Sequence, residues 1–205
     1  MTAFTDADRE KVAKAIAATE KTTSGELVVV VARSSDDYRY IPLLWPAAVA
    51  LLAGPAAYLI GLVNSMTSML AVQAAILVAG GLLTLWMPVR VLLVPRYIRR
   101  ARAALLARAQ FLAQNLHLTR NHTGVLIFVS LAEHYVEIIA DKGINDRVGH
   151  EEWEAAVSDF VQAVKVGRLA EGFERVIADC GEILARNCPP EPDNPNQLPN
   201  RLIEL

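Results

Sequence analysis

The longest apolar stretch of the chain lies between Arg39 and Arg90, an interval that contains no charged residue. It holds two apolar runs, residues 41–63 and 70–88, which are separated by the polar and uncharged segment 64–68. Each run approaches the roughly 20 residues that an α-helix needs to cross the hydrocarbon core of a bilayer. The pattern therefore predicts two membrane-spanning helices joined by a tight turn, with the remaining sequence on one side of the membrane.

The alternative is that the two runs form a buried core hairpin of a soluble protein. Trp45 and Trp86 fall near the ends of the runs on the same side, where aromatic belts lie in membrane proteins. Residues that are unfavourable in a soluble helix but tolerated in a membrane helix occur in the first run: Pro42, Pro46, Gly54 and Pro55. We therefore favour the membrane hairpin. Because the runs contain no Asp, Glu, Lys, Arg or His, we expect no ion or proton pathway.

The sequence around the hairpin has the periodicities of a small α/β domain. Continuous apolar, β-branched runs predict strands that are buried on both faces, and apolar residues at helical spacing predict the helices that cover them. The expected strands are residues 26–32, 124–131 and 134–140, the last two forming a hairpin. The expected helices are residues 6–22, 97–116, 151–164 and 169–187.

These elements predict an α/β fold with a small sheet covered by helices on both faces. The first strand is too apolar to remain alone in water. The hairpin, residues 41–89, is therefore predicted to be an insertion into one discontinuous domain, which consists of residues 1–40 and 96–188.

The C-terminal segment, residues 189–205, is rich in Pro and Asn and predicts an extended tail. It is too polar to add to the core. The tail either packs back on the domain or presents apolar residues to a partner, namely Leu198, Leu202 and Ile203.

Charge indicates the partners and the orientation. The 205 residues have a formal net charge of −2, so nucleic acid is not an expected partner. Residues 1–24 are charged throughout and show no secretory signal peptide. Lys and Arg close to membrane spans stay cytoplasmic, which places both termini and the domain in the cytoplasm. The arginines that follow the second run either act only in this way or also bind anionic lipid or an acidic partner face: Arg90, Arg96, Arg99, Arg100, Arg102 and Arg108.

Acidic side chains follow two of the expected strands. Asp36 and Asp37 come after the first strand, and Asp141, Asn145 and Asp146 come after the third. If these strands are parallel neighbours, both clusters lie at the carboxyl edge of the sheet, the usual ligand crevice of open α/β sheets. Hard oxygen ligands there would suit Ca²⁺ or Mg²⁺, and such an ion would position a phosphate. The alternative is that these residues are solvated loop acids and helix caps.

Four segments together resemble the TPM domain family. They are residues 23–30 (TSGELVVV), 121–130 (NHTGVLIFVS), 135–144 (YVEIIADKGI) and the pair Gly167-Arg168 before the last helix. The sequence is most similar to a bacterial branch of membrane proteins with two spans inside the domain. The resemblance implies a three-layer α/β/α sandwich around a small mixed sheet, with an inserted two-helix transmembrane hairpin.

The resemblance also implies a role beside membrane complexes. Plant thylakoid relatives assist photosystem II repair and are described as weak, calcium-associated acid phosphatases, and an animal relative is an accessory subunit of an acetylcholine receptor. We therefore expect a bacterial inner-membrane protein that is a non-enzymatic accessory or assembly factor for another membrane protein. The alternative is a weak, Ca²⁺- or Mg²⁺-dependent acid phosphatase-like enzyme, for which the family's acidic site implies the metal ligands Asp37, Asp141 and Asp146. A third hypothesis is a lipid-surface sensor built on the arginine helix.

Overall fold

The computed structural model of the protein describes residues 4–166, 168–190 and 196–205. Gly167 of the family-like pair and residues 191–195 of the expected tail lie outside the described residues. The helices are α1 (Asp6–Glu20), α2 (Leu44–Leu59), α3 (Met66–Leu83), α4 (Met87–Leu93), α5 (Arg96–Ala113), α6 (Lys142–Asn145), α7 (His150–Lys165) and α8 (Leu169–Asn187). The strands are β1 (Glu26–Ala32), β2 (Gly124–Ser130), β3 (Tyr135–Ala140) and β4 (Leu202–Glu204). Short 3₁₀ helices cover Leu116–Leu118 and Arg120–His122.

The apolar runs on either side of the hairpin form the two central strands. Every residue of β1 and of β2 is buried, which explains why residues 27–32 and 125–129 are continuously apolar rather than alternating.

Before β1, helix α1 begins at a capping box. The Thr5 side chain accepts the main-chain N–H of Asp8, and the Asp8 carboxylate accepts the N–H of Thr5. Two donors at the helix start are satisfied in this way.

Within the described residues the sheet has four strands, in the order β3-β2-β1-β4. β1 is parallel to both β2 and β4, whereas β3 is antiparallel to β2, so the sheet is mixed. The sequence predicts only three of these strands. The fourth comes from the C-terminal tail, which packs back on the domain and pairs β4 with residues 29–31.

Two hydrophobic cores lie on opposite faces of the sheet. On one face, β1 contributes alternate residues such as Val29 to a core shared with α1, α7 and α8. There the rings of Phe160 and Phe173 meet edge to face, with 4.8 Å between their centroids. On the other face, β1 and β2 pack against Ala103 and Ala107 of α5. Helices therefore cover both faces, and the predicted α/β class is confirmed.

The chain divides into two compact units. One comprises Met1–Ser34 and Ala103–Leu205 and contains the sheet with both cores. The other, Ser35–Arg102, contains α2, α3, α4 and the first residues of α5. Helix α2 has 16 residues, which is shorter than the apolar run 41–63, and α3 has 18 residues.

Local signals at the helix ends explain the difference from the predicted spans. Helix α2 stops at Ile60, and the next residue, Gly61, has a φ of 76°, a conformation that favours glycine at a helix end. Helix α3 begins at Met66 because Ser65 and Ser68 form a capping box. The polar segment predicted to be a turn is therefore largely the first turn of α3.

Candidate functional site

Asp141, one of the predicted metal ligands, lies where β3 leads into α6. Its main-chain N–H donates to the carbonyl of Gly124, the first residue of β2, at 2.9 Å. Its Oδ1 accepts the main-chain N–H of Lys142 at 2.8 Å and caps α6. Its Oδ2 lies 3.0 Å from Nδ1 of His122. The carboxylate thus caps a helical turn and orients an exposed imidazole.

The same turn is packed closely against the segment before β2. A Cβ atom on Gly143 would collide with the carbonyl oxygen of Asn121 and lie 2.7 Å from that of His122. Asn121 and His122 have φ values of 62° and 55°, in the left-handed region that costs about 1 kcal/mol or more for residues other than glycine. The strings NHTG at 121–124 and ADKG at 140–143, which carry much of the family resemblance, therefore meet at one point.

A polar cleft of about 480 Å³ opens beside this junction. The guanidinium of Arg147 donates to the carbonyl of Asn187 at 3.1 Å. Burial raises the pKa of the Cys188 thiol, so this side chain stays protonated at neutral pH. The described lining contains a guanidinium and hydroxyls but no carboxylate, a set suited to a small anion or a peptide backbone: Ser24, Asn121, Thr123, Arg147, Cys188, Pro189 and Pro190.

The other two predicted ligands have different environments. Asp37 is exposed, and its Oδ2 lies 3.1 Å from Nε of Arg39. Its neighbour Asp36 pairs with Arg102, also at 3.1 Å. Asp146 is exposed at the C-terminal end of α6, and only its main-chain N–H contributes to the helix end. Asp36 and Asp37 thus have arginine partners, and Asp146 ends a helical turn.

The topology of the sheet does not bring the acidic clusters to one edge. The prediction assumed that the first and third strands are parallel neighbours. In the structure β2 separates them, and β3 runs antiparallel to β2 and hence to β1. Their carboxyl ends therefore lie at opposite ends of the sheet. Among the described residues, no three His, Cys, Asp or Glu side chains form a group able to hold a metal ion. The direction of the strands therefore gives no reason for the loops after β1 and β3 to converge, and a metal site at Asp37, Asp141 and Asp146 stays a prediction.

Helices α2 and α3 expose their large apolar side chains, the reverse of a helix that packs on a soluble core. Large apolar residues are exposed, for example Leu52 at 71% and Leu59 at 84%, and no residue of α3 is buried. The buried residues of α2 are instead small and spaced four apart: Pro46, Ala50 and Gly54. By length and composition α3 is able to cross a membrane, while α2 is apolar but shorter.

Small residues mediate the contact between these two helices. A Cβ atom on Gly54 would lie 2.5 Å from Cγ of Gln73, and one on Gly80 would collide with Pro46. Membrane helices pack in this way because lipid is as apolar as leucine, so close backbone approach replaces the burial of large side chains. A soluble hairpin buries its large apolar side chains on one face. The exposed leucines are therefore unlike those of a buried core hairpin.

Polar groups join the elements at one end of the hairpin. The indole N–H of Trp45, in the first turn of α2, donates to the carbonyl of Leu93 at the end of α4, at 2.9 Å. The guanidinium of Arg90 donates to the carbonyls of Thr84 and Leu85, at 3.0 and 3.2 Å, just after α3 ends. Carbonyls at a helix end lack intrahelical donors, and the guanidinium of Arg90 provides donors for these two carbonyls. The start of α2, the end of α3 and helix α4 are thereby held at one level.

Part of the chain matches a known protein family. Residues 87–183, which include α5, β2, β3 and the Asp141 turn, match the family model described as TPM domain. The chain carries a TPM domain. Its fold is also similar to the NMR structure of the BA42 protein from the psychrophilic bacterium Bizionia argentinensis, with a TM-score of 0.63 and 20% identity, over 99% of this chain and 96% of that chain. At this identity the likeness concerns the fold alone. No curated protein matches the chain.

The matched segment confirms the resemblance carried by 121–130 and 135–144, whereas residues 23–30 precede it. The junction of the TPM domain at Asn121, His122 and Gly143 was not predicted as a site. The available signal was that both strings end in glycine, although their meeting depends on left-handed backbone at Asn121 and His122 that the residue types alone do not require.

Proposed function

We propose that this protein is a multi-pass protein of the bacterial cell membrane, anchored by α2 and α3, with its TPM domain on the cytoplasmic side. The observation that carries the proposal is the inverted side-chain distribution of the hairpin, with leucines outside and small residues at the helix contact. Lipid chains would solvate these leucines. In water they would form an apolar surface of a kind that monomeric soluble proteins rarely expose.

The dimensions of the hairpin are compatible with a bilayer. At 1.5 Å per residue, α3 is about 27 Å long and α2 about 24 Å, against roughly 30 Å of hydrocarbon. Local thinning of the bilayer accommodates a mismatch of this size at modest cost. Trp45 and Trp86 lie at the same end of the hairpin, where indole rings would sit among the headgroups. The arginines that follow favour the cytoplasm for this end.

Within that frame we propose a non-enzymatic role as an accessory or assembly factor for another membrane protein. The hairpin contains no Asp, Glu, Lys, Arg or His, and two helices cannot enclose a pore. The phosphatase alternative needs Asp37, Asp141 and Asp146 around one ion, whereas the strands that these residues follow, β1 and β3, run in opposite directions. The exposed flanks of α2 and α3 and the polar cleft of the TPM domain offer surfaces for a partner.

Membrane insertion and orientation can be tested by labelling single cysteines. Cys180 and Cys188 are both buried, so an added cysteine supplies the reactive thiol. We expect an impermeant maleimide to label Asn64→Cys, between α2 and α3, in intact spheroplasts, and Arg201→Cys only after lysis. Both variants should remain in the membrane pellet after alkaline extraction. Release into the supernatant would overturn the membrane proposal, whereas the reverse labelling pattern would overturn only the orientation.

The accessory role is tested on the detergent-purified protein and in cells. Calorimetric titration with CaCl₂ and MgCl₂ should give no saturable heat that depends on Asp141 and Asp146. Photo-crosslinking from Leu52 or Leu59 in cells should capture a membrane protein, and the Asp141→Asn variant should capture it equally. Saturable binding that is lost in Asp141→Asn/Asp146→Asn, together with phosphatase turnover, would instead favour the enzyme.

A further inference from the structure

Positive charge is concentrated in one part of the chain. Between Asp37 and Glu133 the sequence contains eight arginines and no Asp, Glu or Lys. Since the whole chain has a net charge of −2, the rest of the chain is net negative. Four of the eight arginines lie in the first two turns of α5, directly after the hairpin and α4. This placement associates the basic charge with the hairpin.

Some of these arginines already have partners. They are Arg39 with Asp37, Arg102 with Asp36, and Arg90 with main-chain carbonyls. In the part of the chain that the structure describes, Arg96, Arg99 and Arg100 form no ion pair with a carboxylate. The Nε atom of Arg99 is buried without a hydrogen-bond partner. A group of three guanidinium ions is thus left without protein anions.

The spacing of these three residues places them on one helix face. Arg99 and Arg100 follow Arg96 by three and four positions, so each of them is a neighbour of Arg96 on the helix surface. Like charges at this spacing destabilise an isolated helix, and a bound anion reverses that effect. The planar guanidinium matches phosphate oxygens with two parallel hydrogen bonds, which makes a phosphate the most suitable anion.

The position of the three arginines relative to the hairpin favours the phosphate of a lipid headgroup over a free phosphate ion. Trp45 donates to the carbonyl of Leu93, so the end of α4 lies level with the first turn of α2. Arg96 follows Leu93 by three residues and begins α5. Leu92 and Tyr97 beside it are exposed at 77% and 73%, which gives an apolar surface next to the charges. This combination fits a lipid headgroup with its glycerol and upper acyl chain better than a free anion.

We infer that Arg96, Arg99 and Arg100 form a binding site for the phosphate of an anionic phospholipid in the cytoplasmic leaflet. The inference rests on the proposed membrane insertion and adds to it a lipid selectivity. The arginines would retain anionic lipid at the start of α5, directly after the hairpin and α4 in the chain. Because the site uses charge, its selectivity declines as salt screens the headgroup.

The test uses the full chain in phosphatidylcholine nanodiscs that contain a fraction of lipid with brominated chains. Bromine quenches tryptophan fluorescence at short range, and Trp45 and Trp86 lie near the proposed site. Brominated phosphatidylglycerol is compared with brominated phosphatidylcholine at equal mole fraction. The variants are Arg96→Gln/Arg99→Gln/Arg100→Gln, the charge-retaining triple lysine variant at the same positions, and Lys11→Gln/Lys14→Gln/Lys21→Gln in and next to α1 as the control of equal net charge.

We expect phosphatidylglycerol to be preferred by at least about five-fold, which corresponds to the attraction between one arginine and an anionic lipid surface. The preference should fall towards one in the arginine-to-glutamine variant and in high salt, and it should persist in the α1 control. The triple lysine variant keeps the charge but not the paired guanidinium hydrogen bonds, so its preference should lie between those of the wild type and the glutamine variant. Equal quenching by both lipids in the wild type would overturn the lipid site, as would equal loss in the α1 control or displacement by millimolar inorganic phosphate. Absence of quenching by either lipid would overturn the membrane insertion, and this inference with it.

Discussion

The carboxylate of Glu26 accepts hydrogen bonds from the main-chain N–H groups of Gln197 and Leu198, at 3.1 and 3.2 Å. Glu26 is the buried first residue of β1, and the segment that it holds leads into β4. Burial raises the pKa of this carboxyl, and the two amides act in the opposite direction. A buried acid at the start of the central strand thus fixes the C-terminal segment beside it.

Replacement of Glu26 by alanine should release this segment. Two main-chain N–H groups of a part-buried segment would lose the carboxylate that accepts from them, at a cost of roughly 1–3 kcal/mol. We expect faster hydrogen exchange of the β4 amides, including the N–H of Leu205 that donates to Val31. The β2 amides, which pair with β1 independently, should change little. Exposed Glu171→Ala is the control, and unchanged protection of β4 in Glu26→Ala would contradict the assigned role.

Glu20 should make the stability of the domain depend on pH near neutrality. Burial raises its pKa from 4.5 to about 7, with a further contribution from Glu26, while the N–H of Leu27 and the side chain of Asn200 act against this shift. The folded state therefore binds a proton that the unfolded state releases. The stability that this proton confers is complete below about pH 4.5 and is lost as the pH rises through about 7.

The variant Glu20→Gln stays neutral and should remove this contribution. Because Glu20 is only partly shielded from solvent, we expect the effect to be on the order of 1 kcal/mol. Melting temperatures measured at pH 6 and 8.5 should differ less for the variant than for the wild type. Glu10→Gln, on the same helix, is the control, since Lys14 lowers the pKa of exposed Glu10 and it titrates below this range. A wild type that gains stability above pH 7 would refute the prediction.

Adjacent glycines of α3 provide a matched test of the hairpin contact. A Cβ atom at Gly80 would collide with Pro46, whereas at Gly81 the nearest atom is Cδ2 of Leu43 at 4.0 Å. We expect Gly80→Ala to cost about 1–3 kcal/mol through overpacking, and Gly81→Ala to be neutral or slightly stabilising because alanine favours the helix. Thermal unfolding in detergent measures both variants. Equal behaviour of the pair would show that the helices do not pack as described.

Asp141→Ala should destabilise the turn that joins β3 to α6. The substitution removes the cap of α6 and the partner of His122, at a cost of roughly 0.5–2 kcal/mol. Asp141→Asn retains an oxygen that can accept the main-chain N–H of Lys142, so its loss of stability should be much smaller. Denaturant unfolding of the two variants provides the comparison. A loss of equal size in both would indicate that the negative charge, rather than the cap, matters.

Elements with continuous signals were predictable from the sequence. β1 and β2 form where apolar runs of about seven residues occur, and burial on both faces is the physical reason for those runs. β4 was missed because three residues, Leu202–Glu204, carry no periodicity of their own. Its formation depends on pairing with residues 29–31 and on acceptors supplied by Glu26.

The predicted acidic cluster rested on an assumption about strand direction. Asp36 and Asp141 follow strands, but the direction of β3 decides which edge Asp141 occupies, and a hairpin between β2 and β3 makes the pair antiparallel. The hairpin was itself predicted from the short turn at residues 132–133. The sequence that predicted the hairpin therefore also implied that β3 ends at the opposite edge of the sheet from β1. The junction of Gly143 with Asn121 depends on backbone conformation and had no comparable signal.

The position of β1 in the chain constrains the order of events during biosynthesis. Translation produces β1 before the two hairpin helices, and both strands that pair with it, β2 and β4, emerge after them. A strand that is fully buried in the folded protein therefore has no pairing partner while the ribosome synthesises the hairpin. Pairing over such sequence distances is slow, so the newly made strand is exposed to chaperones or to aggregation until the sheet forms around it.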